Sequence, residues 1–182
     1  NGDHFVLPSA EERYKRASSF TRRVNILDKG LIFVPVCRSG HWFLALICNL
    51  PSLFDKGSPI VIVDSIVWGS EDNFLGTPSS REQEAELIRN FISEWWADRQ
   101  RSADAPVHEF SDKSMPLLYP RVPQQENGYD CGVFLLLFFE EFFKRKFPID
   151  DLLSEKPLLW YNQSSALQLR KRIANILKKM GD

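Results

Sequence analysis

Nine consecutive residues, Cys131 to Phe139 (CGVFLLLFF), carry no polar side chain apart from one thiol. The pattern continues as EEFFKRKF to Phe147 before Pro148 stops it, a length that fits a helix and not a strand. A helix that is apolar almost all round for its first nine residues fits burial at the centre of the fold, against a sheet. The rest of the chain is then expected to wrap it, with Asp130 at the position of an N-cap.

Short apolar runs supply the wrapping. LIFVPV (Leu31 to Val36) and HWFLALIC (His41 to Cys48) are rich in β-branched and aromatic residues and are separated by CRSG, so they read as adjacent buried strands joined by a turn. IVIVD (Ile60 to Asp64) reads as a third strand that ends on a carboxylate. In Arg81 to Arg99, residues Ile88, Phe91, Ile92, Trp95 and Trp96 fall on one stripe of an amphipathic helix, with Ser79 or Ser80 as its cap.

Less is fixed elsewhere. Glu12 to Arg23 reads as a short helix or an exposed connection, PVHEF (Pro106 to Phe110) as a short strand, and Met115 to Pro123 as extended or irregular. In the last segment, Ser164 to Met180, Leu169, Ile173, Ile176 and Leu177 share one helical face. The fold class is α+β, with a small sheet packed against one central helix. A chain of 182 residues that is 43% hydrophobic suits a single domain around one core and excludes a disordered chain.

The net charge of -1 excludes a global field for nucleic acid or an anionic membrane. It conceals a division, because residues 1–40 sum to +3, 41–143 to -9 and 144–182 to +5. These blocks read as solvated faces or as a docking surface for a charged protein. The longest apolar run is far below the roughly 20 residues of a membrane span, and residues from Asn1 onward show no signal-peptide pattern. Cys37, Cys48 and Cys131 make neither an even disulfide framework nor a CxxC pair, and no histidine stands at metal-ligand spacing from them. A reducing compartment, an intracellular monomer and no cofactor are expected.

The chemistry concentrates at QQENGYDCG, Gln124 to Gly132. The positive end of a helix dipole and its unpaired N–H groups favour an anionic sulfur, so Cys131 is a candidate nucleophile. Cys37, expected in a turn, and Cys48, at a strand end, occupy ordinary places for inert thiols. A nucleophilic thiol needs a base, and the base needs a third group to orient it. His41 opens a buried strand, whereas His4 and His108 lie in less structured surroundings. Asp64 ends a neighbouring strand, where a carboxylate needs a partner or solvent. An oxyanion has the Cys131 N–H as one donor, and Gln125 is a candidate for another. The register that would bring His41 to Asp64 is not fixed by sequence.

In order and spacing, His41-Trp42, Asp64 and then Gln125, Asn127, Asp130, Cys131 and Gly132 resemble the Ulp/SENP proteases, whose nucleophile motif is Q-x-N-x-x-D-C-G. These are papain-like cysteine peptidases acting on the ubiquitin-like modifier SUMO. The likeness runs from about Tyr14 to the C-terminus and is nearest to the chain-trimming branch and the plant members. It implies a papain-like fold whose central helix carries the nucleophile, and nuclear residence. It also implies roles: Cys131 attacks after the modifier's terminal Gly-Gly, His41 acts as base and then acid, Asp64 orients His41, Gln125 completes the oxyanion hole, and Trp42 narrows a tunnel that only glycine threads. SUMO and SUMO-conjugated proteins are the implied partners. A W-L-x-D segment that precedes this region in the family does not occur before Leu31, so residues 1–182 read as one catalytic domain lacking its N-terminal part. Two other readings stand beside this one: a protease for another modifier such as NEDD8, and a non-catalytic SUMO-binding module.

Overall fold

The computed structural model describes residues 9–66, 81–99, 110–154 and 156–181. Helix α1 (Ala10–Thr21) is followed by strands β1 (Leu31–Arg38), β2 (His41–Cys48) and β3 (Ile60–Val63), helix α2 (Glu82–Arg99), strand β4 (Leu117–Leu118), and helices α3 (Cys131–Arg145), α4 (Ile149–Leu152) and α5 (Gln163–Gly181). The expected caps Ser79 and Ser80, together with His4, His108 and the strand over 106–110 except Phe110, lie outside the described residues.

The four strands form one mixed sheet in the order β1-β2-β3-β4, antiparallel except for the parallel pair β3-β4. Alternation along β2 and β3 sends Leu44, Leu46, Cys48, Val61 and Val63 to one face and Phe43, Ala45, Ile47, Ile60 and Ile62 to the other. Both faces are covered, the first by α3 and α5 and the second by α2, which explains why these strands read as continuous apolar runs and not as alternating ones. The expected α+β class with a small mixed sheet on a central helix is borne out, with a second helix layer behind the sheet.

The stretch Met115 to Pro123, expected to be extended or irregular, contributes β4, whose two residues extend the sheet beside β3. Helix α3 is not buried all round: Phe134 and Phe138 are fully enclosed, but Leu136 and Phe143 are exposed. On α5, Leu169 is buried, whereas Ile176 and Leu177 are exposed because the last turns run past the core. Along α2, Ile88, Ile92 and Trp95 are buried as expected, and Phe91 and Trp96 flank them half-buried. Cys37 is not in a turn; it lies within β1, opposite Trp42.

Candidate active site

The β1-β2 hairpin fixes the position of His41. Ser39 (φ 51°) and Gly40 (φ 78°) both take the left-handed region, as a two-residue type I′ connection requires, and Arg38 pairs with His41 across it. His41 is thereby the first residue of β2. Antiparallel pairing sets Leu44 opposite Val63, so Asp64 follows one step beyond. By alternation Asp64 shares the face of Ile60 and Ile62, and His41 that of Phe43. The two side chains meet there as diagonal neighbours, with His41 Nε2 and Asp64 Oδ1 2.8 Å apart. With Nε2 turned to the carboxylate, Nδ1 is the ring nitrogen left to serve a thiol.

Asp64 is fully enclosed and both of its oxygens are occupied. Oδ1 also accepts the Ile66 N–H at 3.0 Å, and Oδ2 accepts Nε and Nη2 of Arg81 at 3.0 and 2.6 Å. Burial opposes the ionised form, but the hydrogen bond and charge of His41 together with Arg81 outweigh it and hold the Asp64 pKa below the usual carboxylate value.

Cys131 is the first residue of α3 and is buried. The Phe134 N–H donates to the Asp130 carbonyl at 2.9 Å and opens the helical ladder, which leaves the Cys131 N–H among the first-turn donors that lack an intrahelical acceptor. Trp42 alternates onto the α3 side of the sheet. Its Cδ1 lies 3.5 Å from where a Cβ on Gly132 would stand, so the indole lies beside the first turn of α3, and it is 43% exposed. One end of the sheet thus gathers His41 and Trp42 from β2, Asp64 after β3, and Cys131 and Gly132 from α3. The thiol of Cys48, by contrast, is buried in the core, which pushes its pKa up to about 12.

The polar residues before Cys131 hold the loop in place. Gln125 donates its backbone N–H to the Ser65 carbonyl at 2.9 Å and accepts the Ser65 hydroxyl at 2.6 Å. Its amide nitrogen donates to the Asn127 carbonyl, which uses one of its two hydrogens. Gln124 donates to the Asp64 and Val122 carbonyls. Asp130 stands at the N-cap position, but its side chain makes no capping hydrogen bond. Its carboxylate instead accepts from Asn127 at 2.7 Å, and from Gln163 and Arg170 on α5. That corrects its expected role: Asp130 ties the loop to α5.

Sequence reasoning missed Arg81, Ser65, Gln163 and Arg170. Only Ser65, adjacent to Asp64, carried a signal of position; Arg81 and Arg170 read as polar residues of amphipathic helices, and Gln163 lay just before the expected start of the last helix. Among the described residues, no group of three or more His, Cys, Asp or Glu side chains is arranged to hold a metal ion. No helix of the described residues is long and apolar enough to cross a membrane.

Comparison with known proteins identifies the family and the fold. The chain is 29% identical over 189 residues to human (Homo sapiens) sentrin-specific protease 7, covering 78% of this chain and 18% of that protein. It is 29% identical over 169 residues to the probable ubiquitin-like-specific protease 2B of Arabidopsis thaliana, covering 92% and 17%. The chain therefore spans about a fifth of the length of these relatives. Among solved structures, a de-sumoylating protease shares the fold with a TM-score of 0.54 at 23% identity, over 72% of this chain and 44% of that one. The Ulp1-like SUMO protease catalytic domain of Chaetomium thermophilum does so at 0.52 and 23%, over 90% and 53%. A family model, the C-terminal catalytic domain of the Ulp1 proteases, matches residues 1–178, and the chain belongs to that family.

Proposed function

We propose that this chain is the catalytic part of a SUMO-specific isopeptidase that cleaves after the modifier's terminal Gly-Gly. The observation that carries the reading is the 2.8 Å pair of His41 and Asp64 at the sheet end where Trp42 packs on the first turn of α3, the turn that starts with Cys131. The relatives' names as ubiquitin-like-specific and sentrin-specific proteases support it.

In this reading His41 takes the Cys131 proton, and the sulfur attacks the glycine carbonyl to form a C–S bond. The oxyanion is met by the Cys131 N–H and by the second amide hydrogen of Gln125. As the intermediate collapses, the C–N bond breaks and His41 gives its proton to the departing lysine amine. Water, deprotonated by His41, then hydrolyses the thioester and restores the thiol. Asp64 holds the imidazole in the tautomer that presents Nδ1. The exposed face of Trp42 lines the path of a tail without side chains, so selection for glycine is steric. Deconjugation of SUMO from target proteins, trimming of SUMO chains and precursor maturation all use this one reaction, and the reading includes nuclear residence as a monomer.

Incubation with SUMO, NEDD8 and ubiquitin carrying a C-terminal electrophile tests the reading. Labelling of Cys131 by SUMO alone is expected, and labelling by NEDD8 or ubiquitin alone overturns it. Tight SUMO binding without labelling would make the chain a binding module. Cys131→Ala should abolish turnover and keep SUMO binding.

A further inference from the structure

The Asp64 carboxylate holds a partner that a simple orienting group for one imidazole does not need. Arg81 stands at the foot of α2, immediately before Glu82, with only 9% of its side chain exposed, and places Nε and Nη2 on the same Oδ2 atom. Its guanidinium carbon lies 4.1 Å from the centre of the Phe43 ring. Phe43 in turn lies near-parallel to the His41 ring, with centroids 6.3 Å apart and planes 21° apart. Arg81, Asp64, His41 and Phe43 therefore close a cycle, joined by hydrogen bonds at Asp64 and by ring pairings at Phe43.

We propose that Arg81 is a positioning residue for the His41–Asp64 pair: it saturates Oδ2 and locks the carboxylate so that Oδ1 is held toward Nε2 of His41. The proposal rests on the reading of that pair as catalytic. Free rotation about χ2 would let either oxygen face the imidazole over a broad range of angles, because that torsion is soft in Asp. Two converging N–H donors on one oxygen, with the guanidinium seated on Phe43, remove that freedom. The Ile66 N–H on Oδ1 fixes the remaining direction.

The arginine also sets the charge of the site. A lone buried carboxylate supports a cationic imidazole with its full charge; paired with Arg81, it does so with much less, since the two charges nearly cancel at a distance. Facing the pair are His41 from β2, Arg81 from the foot of α2 with Glu82 and Glu84 beyond it, and Tyr119 after β4. Arg38 from β1 is itself held by Glu84. Burial first, and Glu82, Glu84 and Asp64 after it, push the Tyr119 phenol up to about 12, so it stays neutral through the working range. Arg81 is then the cation in direct contact with Asp64.

The test measures kcat and the pH dependence of kcat/KM on SUMO joined at its C-terminal glycine to a fluorogenic amine, with a thermal melt of each variant. Arg81→Gln removes the cation and the converging pair of donors. A fall in kcat on the order of tenfold to a hundredfold is expected, as for a mispositioned catalytic group. Loss of a nearby cation favours the protonated form of the groups it faced, so the profile moves to higher pH. Arg81→Lys keeps the charge and loses the fork, so its profile stays in place while kcat falls. If Arg81→Gln does not fold, Arg81→Lys decides alone. Wild-type kcat in Arg81→Lys, or an unmoved profile with wild-type kcat in folded Arg81→Gln, overturns the positioning role. Failure of the wild-type chain to cleave this substrate overturns the catalytic reading instead, and the proposal with it.

Discussion

Asp130 and Arg170, 40 residues apart in sequence, form an ion pair that fastens the loop before Cys131 to helix α5. The carboxylate is enclosed while the guanidinium is 42% exposed, so the pair anchors a buried group from the surface. Asn127 and Gln163 converge on the same carboxylate, and Asn127 Oδ1 accepts the N–H groups of Tyr129 and Asp130. The turn that delivers the candidate nucleophile is thus held by side chains from both of its ends.

Replacing Asp130 with Ala should therefore act on stability and turnover together. Three donors lose one acceptor, but the exposed guanidinium rehydrates, so the expected cost is about 2 kcal/mol. Because Gln125 and Cys131 flank the loosened loop, kcat should fall more than the small loss of folded protein explains. Urea midpoints and kcat measured on the same samples check both parts, and an unchanged midpoint would remove Asp130 from its anchoring role.

The parts of the fold that sequence reveals are those where burial is continuous. Strands β2 and β3 and the inner face of α3 are legible because no polar residue interrupts them, and the hairpin because Ser39-Gly40 follows an apolar run. Strand β4 is not legible: it is two residues long, sits among prolines, and pairs parallel to β3, a contact that arises only when distant segments meet. The exposed turns of α5 escape for a related reason, since periodicity defines an apolar face without saying where the surface that covers it ends. At the site, His41, Asp64 and Cys131 stand out because their residue types are unusual at strand ends and helix starts. Arg81 does not, since an arginine before an amphipathic helix looks the same in sequence whether it faces solvent or a buried carboxylate.

Trp42 provides a prediction that separates function from packing. Its 43% exposure and its contact with Gly132 place it on the surface of the site and not in the core. Trp42→Ala should shift stability by about 1 kcal/mol or less, as substitutions away from the core do. Turnover of a SUMO substrate should fall on the order of tenfold or more through loss of tail positioning. A melting temperature that collapses while kcat/KM per folded molecule holds would make Trp42 a core residue after all.

The two sides of α3 should respond differently to truncation. Phe138 is fully enclosed and stacks on Phe142 and Trp160, so Phe138→Ala should cost about 3–5 kcal/mol. Leu136, two residues earlier on the opposite side of the helix and 47% exposed, should cost less than about 1 kcal/mol when cut to Ala. Equal losses at the two positions would mean that the outer face of α3 is covered in solution.

The buried carboxylates set the acid limit of the fold. Asp64 and Asp130 both have pKa values held below the ordinary carboxylate range, in each case against burial and by their hydrogen-bond and charge partners. A group with a depressed folded pKa contributes stability that is complete above its unfolded value, about 3.9 for Asp, and is lost as pH falls through the folded value. Urea midpoints should stay level from neutral pH to about pH 5 and drop below about pH 4. A midpoint that holds level to pH 3 would mean these carboxylates are not linked to folding.

Asp64→Asn carries the most specific expectation. An amide in place of the carboxylate no longer fixes His41 in the tautomer the reaction needs, so the rate should fall by roughly ten-thousandfold, the scale known for this change in a catalytic triad. The same substitution also leaves the Arg81 guanidinium enclosed without its anion. Stripping one partner from a buried pair costs about 3–5 kcal/mol, so the variant should be strongly destabilised as well as slow. Adding Arg81→Met replaces the stranded cation with an apolar side chain that can still rest on Phe43. The double variant should recover most of the lost stability and none of the rate. If stability does not return, the loss in Asp64→Asn did not come from Arg81. If the rate returns with it, the chemistry never depended on the Asp64 carboxylate.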